Sequence, residues 1–383
     1  MNKKNIFIVG ILIVLLIVAG WLYILIYNPS TNTNDSFTEF GTGSDSDYVP
    51  PTENPIITDV QVEENPNEKR LRQLTTNPVA GAVFALNGIY YVEQGTGHLR
   101  HINLVTGNET LVSGKTIPGA YDAVFSPDGS TVAITTTNDG MSKTIIAEVP
   151  ALGSTDNLEG ESLTPGASEI NLSKKPGTVF YLVKTANGST AYSYDIAKRT
   201  GTVVFEIPLR DVHVLWGERT YVYTTPTEKQ MGYMYEVVGN NLRYVTRGGF
   251  GLMSFLYSDG VIVTRKEAGY WTSETVTESE EIPLAAIVIP EKCVGGNVRV
   301  FCAVPNIIPF ESILPDAWYM GYVSFSDSLW SISTDEFSVM LSDFLKESGR
   351  EIDVLKIGIN SLESHLFFIN KNDNTLWLYR LPE

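Results

Sequence analysis

The chain has 383 residues, 44 acidic against 27 basic side chains and a formal net charge of −17. A surface this negative is expected to repel nucleic acid and anionic lipid headgroups, and nucleic-acid binding is disfavoured because phosphate contacts need clustered Lys and Arg. Two cysteines and four histidines leave little material for a metal centre.

From Ile6 to Tyr27 the sequence runs 22 residues without a charge, with Trp21, Tyr23 and Tyr27 crowded at its far end. A helix rises about 1.5 Å per residue, so this stretch matches a hydrocarbon core of roughly 30 Å, and the rings suit the lipid–water boundary. Lys3 and Lys4 precede it, and no Lys or Arg follows until Lys69. The asymmetry predicts a single-pass anchor in the cell membrane, with residues 1–5 cytoplasmic, 6–27 in the bilayer and the remainder extracytoplasmic. A cleaved signal peptide has a shorter apolar core and a small-residue cleavage site, whereas this run ends in Gly20-Trp21-Leu22-Tyr23. Residues 28–68 are rich in Asn, Ser, Thr, Pro and acid. Such a stretch buries too little apolar surface to offset ordering, so a flexible linker is expected.

Beyond residue 68 there is almost no helical periodicity. Short β-branched and aromatic runs alternate with Gly, Asn, Asp and Pro turns, as in an all-β sandwich, barrel or propeller. Repetition decides among these. The clearest unit is Ala123–Ile134, in which Ser126-Pro127-Asp128-Gly129 reverses the chain between two apolar strands. Degenerate copies centre on Asn87, Pro176, Gly217, Asp259, Gly295 and Leu362, giving successive steps of 41, 48, 41, 42, 36 and 67 residues. Most fit a four-stranded blade of about 40–50 residues, so we expect a seven-bladed β-propeller over 69–383. The last unit supplies only three strands, 353–359, 365–369 and 375–381. Its missing outer strand is expected from Arg70–Thr75, which closes the ring and removes an exposed edge.

The Ser-Pro-Asp-Gly hairpin resembles the WD-like repeats of TolB-type bacterial propellers, although the Trp-Asp and Gly-His pairs of true WD repeats are absent. The segment from Cys293 through Phe301-Cys302-Ala-Val-Pro305, Asp316-Ala-Trp-Tyr319 and Val323–Trp330 is similar to membrane-anchored propellers of candidate-phylum bacteria. That resemblance implies a fold and brings no activity.

Glu291–Cys302 reads as a hairpin turning at Gly295-Gly296-Asn297. It allows either a Cys293–Cys302 disulfide outside the cytoplasm or two buried thiols. The long sixth step contains an apolar insertion, 305–328, with Phe310, Trp318, Tyr319 and Tyr322 as candidate partner-binding residues. The alternative is a cluster packed over the neck of the ring. His98 and His101 stand three apart, which on a strand means opposite faces, and His213 reads as a satisfied inner-strand histidine. There is no Gly-x-Ser-x-Gly elbow, no His-Glu-x-x-His and no phosphate loop. A propeller-plus-α/β hydrolase needs a second domain for which no residues remain. Asn370–Thr375 reads as a polar hairpin turn rather than a calcium loop. We therefore expect no cofactor, no metal and no catalytic residue. The function expected is a binding or scaffold module for a protein, peptide or glycan. The alternatives are a glycan- or peptide-processing enzyme using channel carboxylates, or a structural part of an envelope secretion or pilus apparatus.

Overall fold

The computed structural model describes residues 69–382 apart from 139, 174–176, 258–259, 278–279, 310–312 and 334–337. The anchor residues Ile6, Trp21 and Tyr27, the linker and Phe310 lie outside the described residues. No described helix is long and apolar enough to cross a membrane.

Strand β1 (Leu71–Gln73) precedes the first complete meander, β2 (Val79–Ala85), β3 (Gly88–Glu93), β4 (Leu99–Asn103) and β5 (Glu109–Ser113). The second is β6 (Ala120–Phe125), β7 (Thr131–Asn138), β8 (Met141–Glu148) and β9 (Gly160–Ser162). The third is β10 (Ala167–Leu172), β11 (Thr178–Lys184), β12 (Ser189–Asp195) and β13 (Thr200–Ile207). A seven-stranded sheet follows: β14 (Val212–Leu215), β15 (Tyr221–Thr224), β16 (Met231–Val238), β17 (Asn241–Tyr257), β18 (Gly260–Glu267), β19 (Tyr270–Val276) and β20 (Glu281–Pro283). Then come β21 (Cys293–Gly295), β22 (Val300–Pro305), β23 (Asp327–Ile332) and β24 (Val339–Asp343). The last sheet is β25 (Val354–Ile359), β26 (His365–Asn370) and β27 (Thr375–Arg380), with β1 paired to β27. Among the described residues two short α-helices interrupt the pattern, α1 (Asp316–Tyr319) and α2 (Phe344–Ser348).

The 17-residue β17 explains the large sheet. Its first part pairs with β16 and its second with β18, so one strand ends one meander and opens the next. A bulge between Phe250 and Met253, with Gly251 at φ 61°, lets the strand change partners.

Packing between consecutive sheets runs around a circle. Ala80, Tyr90 and Leu99 of the first meander bury against Phe125 and Ile134 of the second. Ile146 of the second packs against Val179 and Tyr181 of the third, and Phe205 of the third against Val212 and Val222 of the next. Within the large sheet, Tyr223 and Met234 meet Val261 and Val263. Ile262 continues the series to Cys302, and Phe301 and Leu329 continue it to Val354 and Phe368. Ile369 and Leu378 then close on Val79 and Ile89. The first strands of neighbouring meanders touch one another, β2 with β6 and β25, β6 with β10, and β21 with β17 and β25. They therefore line the centre.

Closure follows the expectation. Leu71 pairs with Tyr379 and Gln73 with Trp377, and the amides of Leu74 and Leu376 bond to their partners across the seam. The Cys293 hairpin differs in its turn. Gly295 pairs with Val300, and the Gly296 amide donates to the Arg299 carbonyl at 2.7 Å, so Asn297 and Val298 form the tip. A disulfide joins the directly opposed Cys293 and Cys302, whose Cα atoms are 4.1 Å apart.

Candidate functional site

The insertion joins β22 to β23 and spans the described parts of 306–326. Its underside is locked to the ring. Trp318, 1% exposed, packs with Met253, Ile289, Leu314 and Phe325 beside an apolar cavity of about 20 Å³. Its indole N–H donates to both Asp353 carboxylate oxygens, at 3.1 and 3.0 Å. The Asp316 carboxylate reaches the β15–β16 connection, accepting from Thr227 Oγ1 and the Glu228 amide at 2.8 Å each.

Beneath it lies a buried ion cluster. Lys292 Nζ sits 2.6 Å from Asp327 Oδ2 and 2.5 Å from Asp353 Oδ1, and none of the three side chains reaches solvent. Asp353 also accepts from Ser324 Oγ and the Phe325 amide, and Asp327 from the Val354 amide. The Lys292 ammonium lies 4.8 Å from the centre of the Phe325 ring. Burial pushes the Asp327 carboxyl up to about 6 despite the opposing charge of Lys292. Asp327 Oδ1 has no described partner.

Next to this cluster, at one end of the ring's centre (here the mouth), first-strand residues Glu169 and His213 approach Glu291. Lys292 and Glu291 belong to one 3-10 turn, Pro290–Lys292, and their side chains diverge. Glu291 Oε1 accepts from the Tyr319 hydroxyl, while Oε2 is buried without a described partner. Burial raises the Glu291 carboxyl above its ordinary value. Glu169, on first strand β10, pairs with His213 on first strand β14, Oε1 to Nδ1 at 3.2 Å. Burial pulls the His213 imidazole down, but the bond and charge of Glu169, helped by Glu291, carry it above its ordinary value. Tyr223 stacks on His213 at 5.2 Å.

Local backbone geometry aims these side chains. Glu169 has φ 51° within a bulge of β10, and Lys356 has the same φ within a bulge of β25. Left-handed conformations at non-glycine residues store strain, and bulges redirect side chains. The backbone of Glu169 is held by Trp216, whose Nε1 donates to its carbonyl at 2.8 Å. Lys356 reaches the Ala80 carbonyl at 2.6 Å and the Asp122 carboxylate, linking three first strands. The mouth is thus rich in hydrogen-bond acceptors and able to hold a proton on His213. Among the described residues no group of three His, Cys, Asp or Glu is placed to hold a metal.

The aromatic residues singled out from the insertion fall in three places. Trp318 packs the insertion against the ring, and Tyr319 reaches the mouth through Glu291. Tyr322 is 79% exposed on the outer surface. His213 is an inner-strand residue, as expected, satisfied by Glu169 and part-exposed. His98 lies outside any strand, beside Glu93, and His101 is buried. Sequence reasoning misses Glu169, Glu291, Lys292, Asp327 and Asp353. A charged pair directly before Cys293 is the one visible signal for Glu291 and Lys292.

Solved structures bear on this architecture. The chain is similar to the beta-propeller domain of the Trilobed protease from Pyrococcus furiosus, with a TM-score of 0.54 and 11% identity over 79% of this chain and 95% of that one. The fold is a β-propeller. That domain has an open velcro topology, whereas β1 here pairs with β27. The propeller is also similar to the acylaminoacyl peptidase of Pyrococcus horikoshii, with a TM-score of 0.52 and 12% identity over 80% of this chain. It covers 52% of that peptidase, about half its length. Identities this low show the fold alone. TolB from Acinetobacter baumannii matches at a TM-score of 0.38 with 14% identity over 54% of each chain, too low to carry an argument. No protein-family model and no curated protein matches the chain.

Proposed function

We propose that the chain is a membrane-anchored, extracytoplasmic propeller of seven blades, counting β17 in two of them, that binds a protein, peptide or glycan on its insertion face. One observation carries this reading. The insertion is fixed from below by buried ions and Trp318, yet it presents Ile307, Ile313, Met320 and Tyr322 outward at 78%, 52%, 61% and 79% exposure. Apolar side chains presented on a segment anchored from below leave less backbone entropy to lose on binding, which suits recognition.

The test uses the full chain in nanodiscs on peptide and glycan arrays. Tyr322→Asp and Ile307→Asp are expected to abolish the binding that wild type shows, at unchanged thermal stability. Equal binding by wild type and both variants would sink the reading.

A second reading, peptide or glycan processing, is supported by the Glu169–His213 pair beside Glu291. Conversion of a bound array ligand, lost in Glu291→Gln while binding persists, would select it.

A further inference from the structure

The face opposite the insertion has its own chemistry. The turns between first and second strands emerge there, and three carry a large aliphatic side chain at the tip: Leu86, Val298 and Leu362, at 70%, 89% and 83% exposure. The three belong to consecutive sheets across the closure. The Asn297 amide donates to the Glu363 carboxylate, so two of the tips abut. Phe84 and Phe367, just inside the other pair of strands, lie 5.1 Å apart. Single exposed aliphatics are ordinary; three on neighbouring tips form a set.

Beside them is an open cleft of about 450 Å³ lined by Arg70, Ser364, His365, Arg380, Leu381 and Pro382. Its backbone is pinned by the Arg380 amide on the Arg70 carbonyl at 2.8 Å and the Leu381 amide on the Ser364 carbonyl at 2.9 Å. Lys69, Arg70, Arg299 and Arg380 are all exposed on this face of a protein with net charge −17. The Glu363 carboxylate is engaged with the Asn297 amide, Arg70 is bonded by Tyr379 with Glu347 near that hydroxyl, and Asp128 and Glu218 lie on other turns of this face. The chain outside the structure also ends here. Residues 1–68, including the uncharged run Ile6–Tyr27, lead directly to Lys69.

We propose that this face rests on the bilayer, with Leu86, Val298 and Leu362 in the headgroup–acyl boundary and a phospholipid phosphate between Arg70 and Arg380. The inference rests on the anchored reading above. Apolar tips flanked by basic groups are the chemistry of an interfacial surface, and attachment through the same chain makes weak individual contacts sufficient. His365 reports on the cleft. Burial and the charges of Arg72 and Arg380 hold its imidazole below the ordinary value, and a bound phosphate opposes those charges and raises it.

The experiment places an environment-sensitive dye at Leu362→Cys, or at Tyr322→Cys on the other face, in the full chain. The labelled chain is reconstituted into phosphatidylcholine vesicles with or without phosphatidylglycerol. A dye at 362 is expected to enter an apolar, lipid-quenchable environment, more so with phosphatidylglycerol, while a dye at 322 stays in water. Arg70→Glu with Arg380→Glu is expected to cut the docked fraction roughly tenfold. If the chain survives a carbonate wash but the dye at 362 stays in water, docking fails and the anchor stands. If the chain washes off, the anchored reading fails and this inference with it. If inorganic phosphate alone moves the His365 titration while vesicles leave the dye in water, the cleft serves free phosphate and the inference is overturned.

Discussion

Replacing Lys292 with Met removes the cation from a site where both carboxylates are sealed from water. Breaking a buried ion pair from one side costs about 3–5 kcal/mol, because the remaining charge has no solvent to turn to. Proton uptake limits the loss here. Asp327 already sits at about 6 against the pull of Lys292, so without that pull it holds a proton at neutral pH and the buried charge is reduced. Asp353 keeps the indole of Trp318, Ser324 Oγ and the Phe325 amide as donors. We therefore predict the lower end, about 3 kcal/mol, which for a domain of this size lowers Tm by roughly 5 °C. The measurements are thermal unfolding of the full chain at pH 7 and hydrogen exchange at the Phe325 amide, which should quicken. A melting temperature within about 1 °C of wild type, with exchange unchanged, would refute the claim that the cluster holds the insertion down.

Asp327 binds its proton more tightly folded than unfolded, so its contribution to stability is present below about pH 4 and lost as pH rises through about 6. The difference in urea stability between wild type and Asp327→Asn should change by about 3 kcal/mol across that window; a difference independent of pH would contradict the assignment. Glu169→Gln removes the charge that, with its hydrogen bond and Glu291, offsets burial at His213, so the imidazole should titrate lower than in wild type by NMR, and an unmoved titration would show that Glu169 does not govern it. The double change Cys293→Ala, Cys302→Ala should cost about 3 kcal/mol by releasing a short closed loop, read by denaturant unfolding, and no loss would mean the link is energetically idle.

Turn chemistry makes the ring legible. Asp128 and Gly129 act as the repeat implies: Ser126 Oγ and the Ser130 amide both bond the Asp128 carboxylate, and Gly129 takes φ 73°. The three strands of the last sheet and the closing β1 are equally visible, since short continuous apolar runs such as Leu366–Ile369 and Leu376–Tyr379, bounded by polar turns, read as buried strands. The long sixth step does hold an insertion between β22 and β23. Its contacts are not legible, because Asp327 and Asp353 look like any acids at strand starts, and Asp316 meets Thr227 across 89 residues of sequence. Glu169 is invisible for a related reason: a left-handed φ at a glutamate is imposed by the tertiary bulge, and nothing in Ala167–Leu172 announces it.

Glu291 and Lys292 are adjacent in one turn but serve different places, the first reaching Tyr319 at the channel mouth and the second the buried aspartates. The cluster and the mouth are therefore coupled by charge. Lys292 pulls the Glu291 carboxyl down against burial, and ionised Glu291 in turn supports the proton on His213. In Lys292→Met, the Glu291 carboxyl should rise further and its support of His213 should fall, so His213 should titrate lower than in wild type. Direct relief of repulsion between Lys292 and His213 acts with the opposite sign. A lower His213 titration by NMR thus identifies coupling through Glu291; a higher one would show that Lys292 acts on His213 directly, and an unchanged or higher one refutes coupling through Glu291.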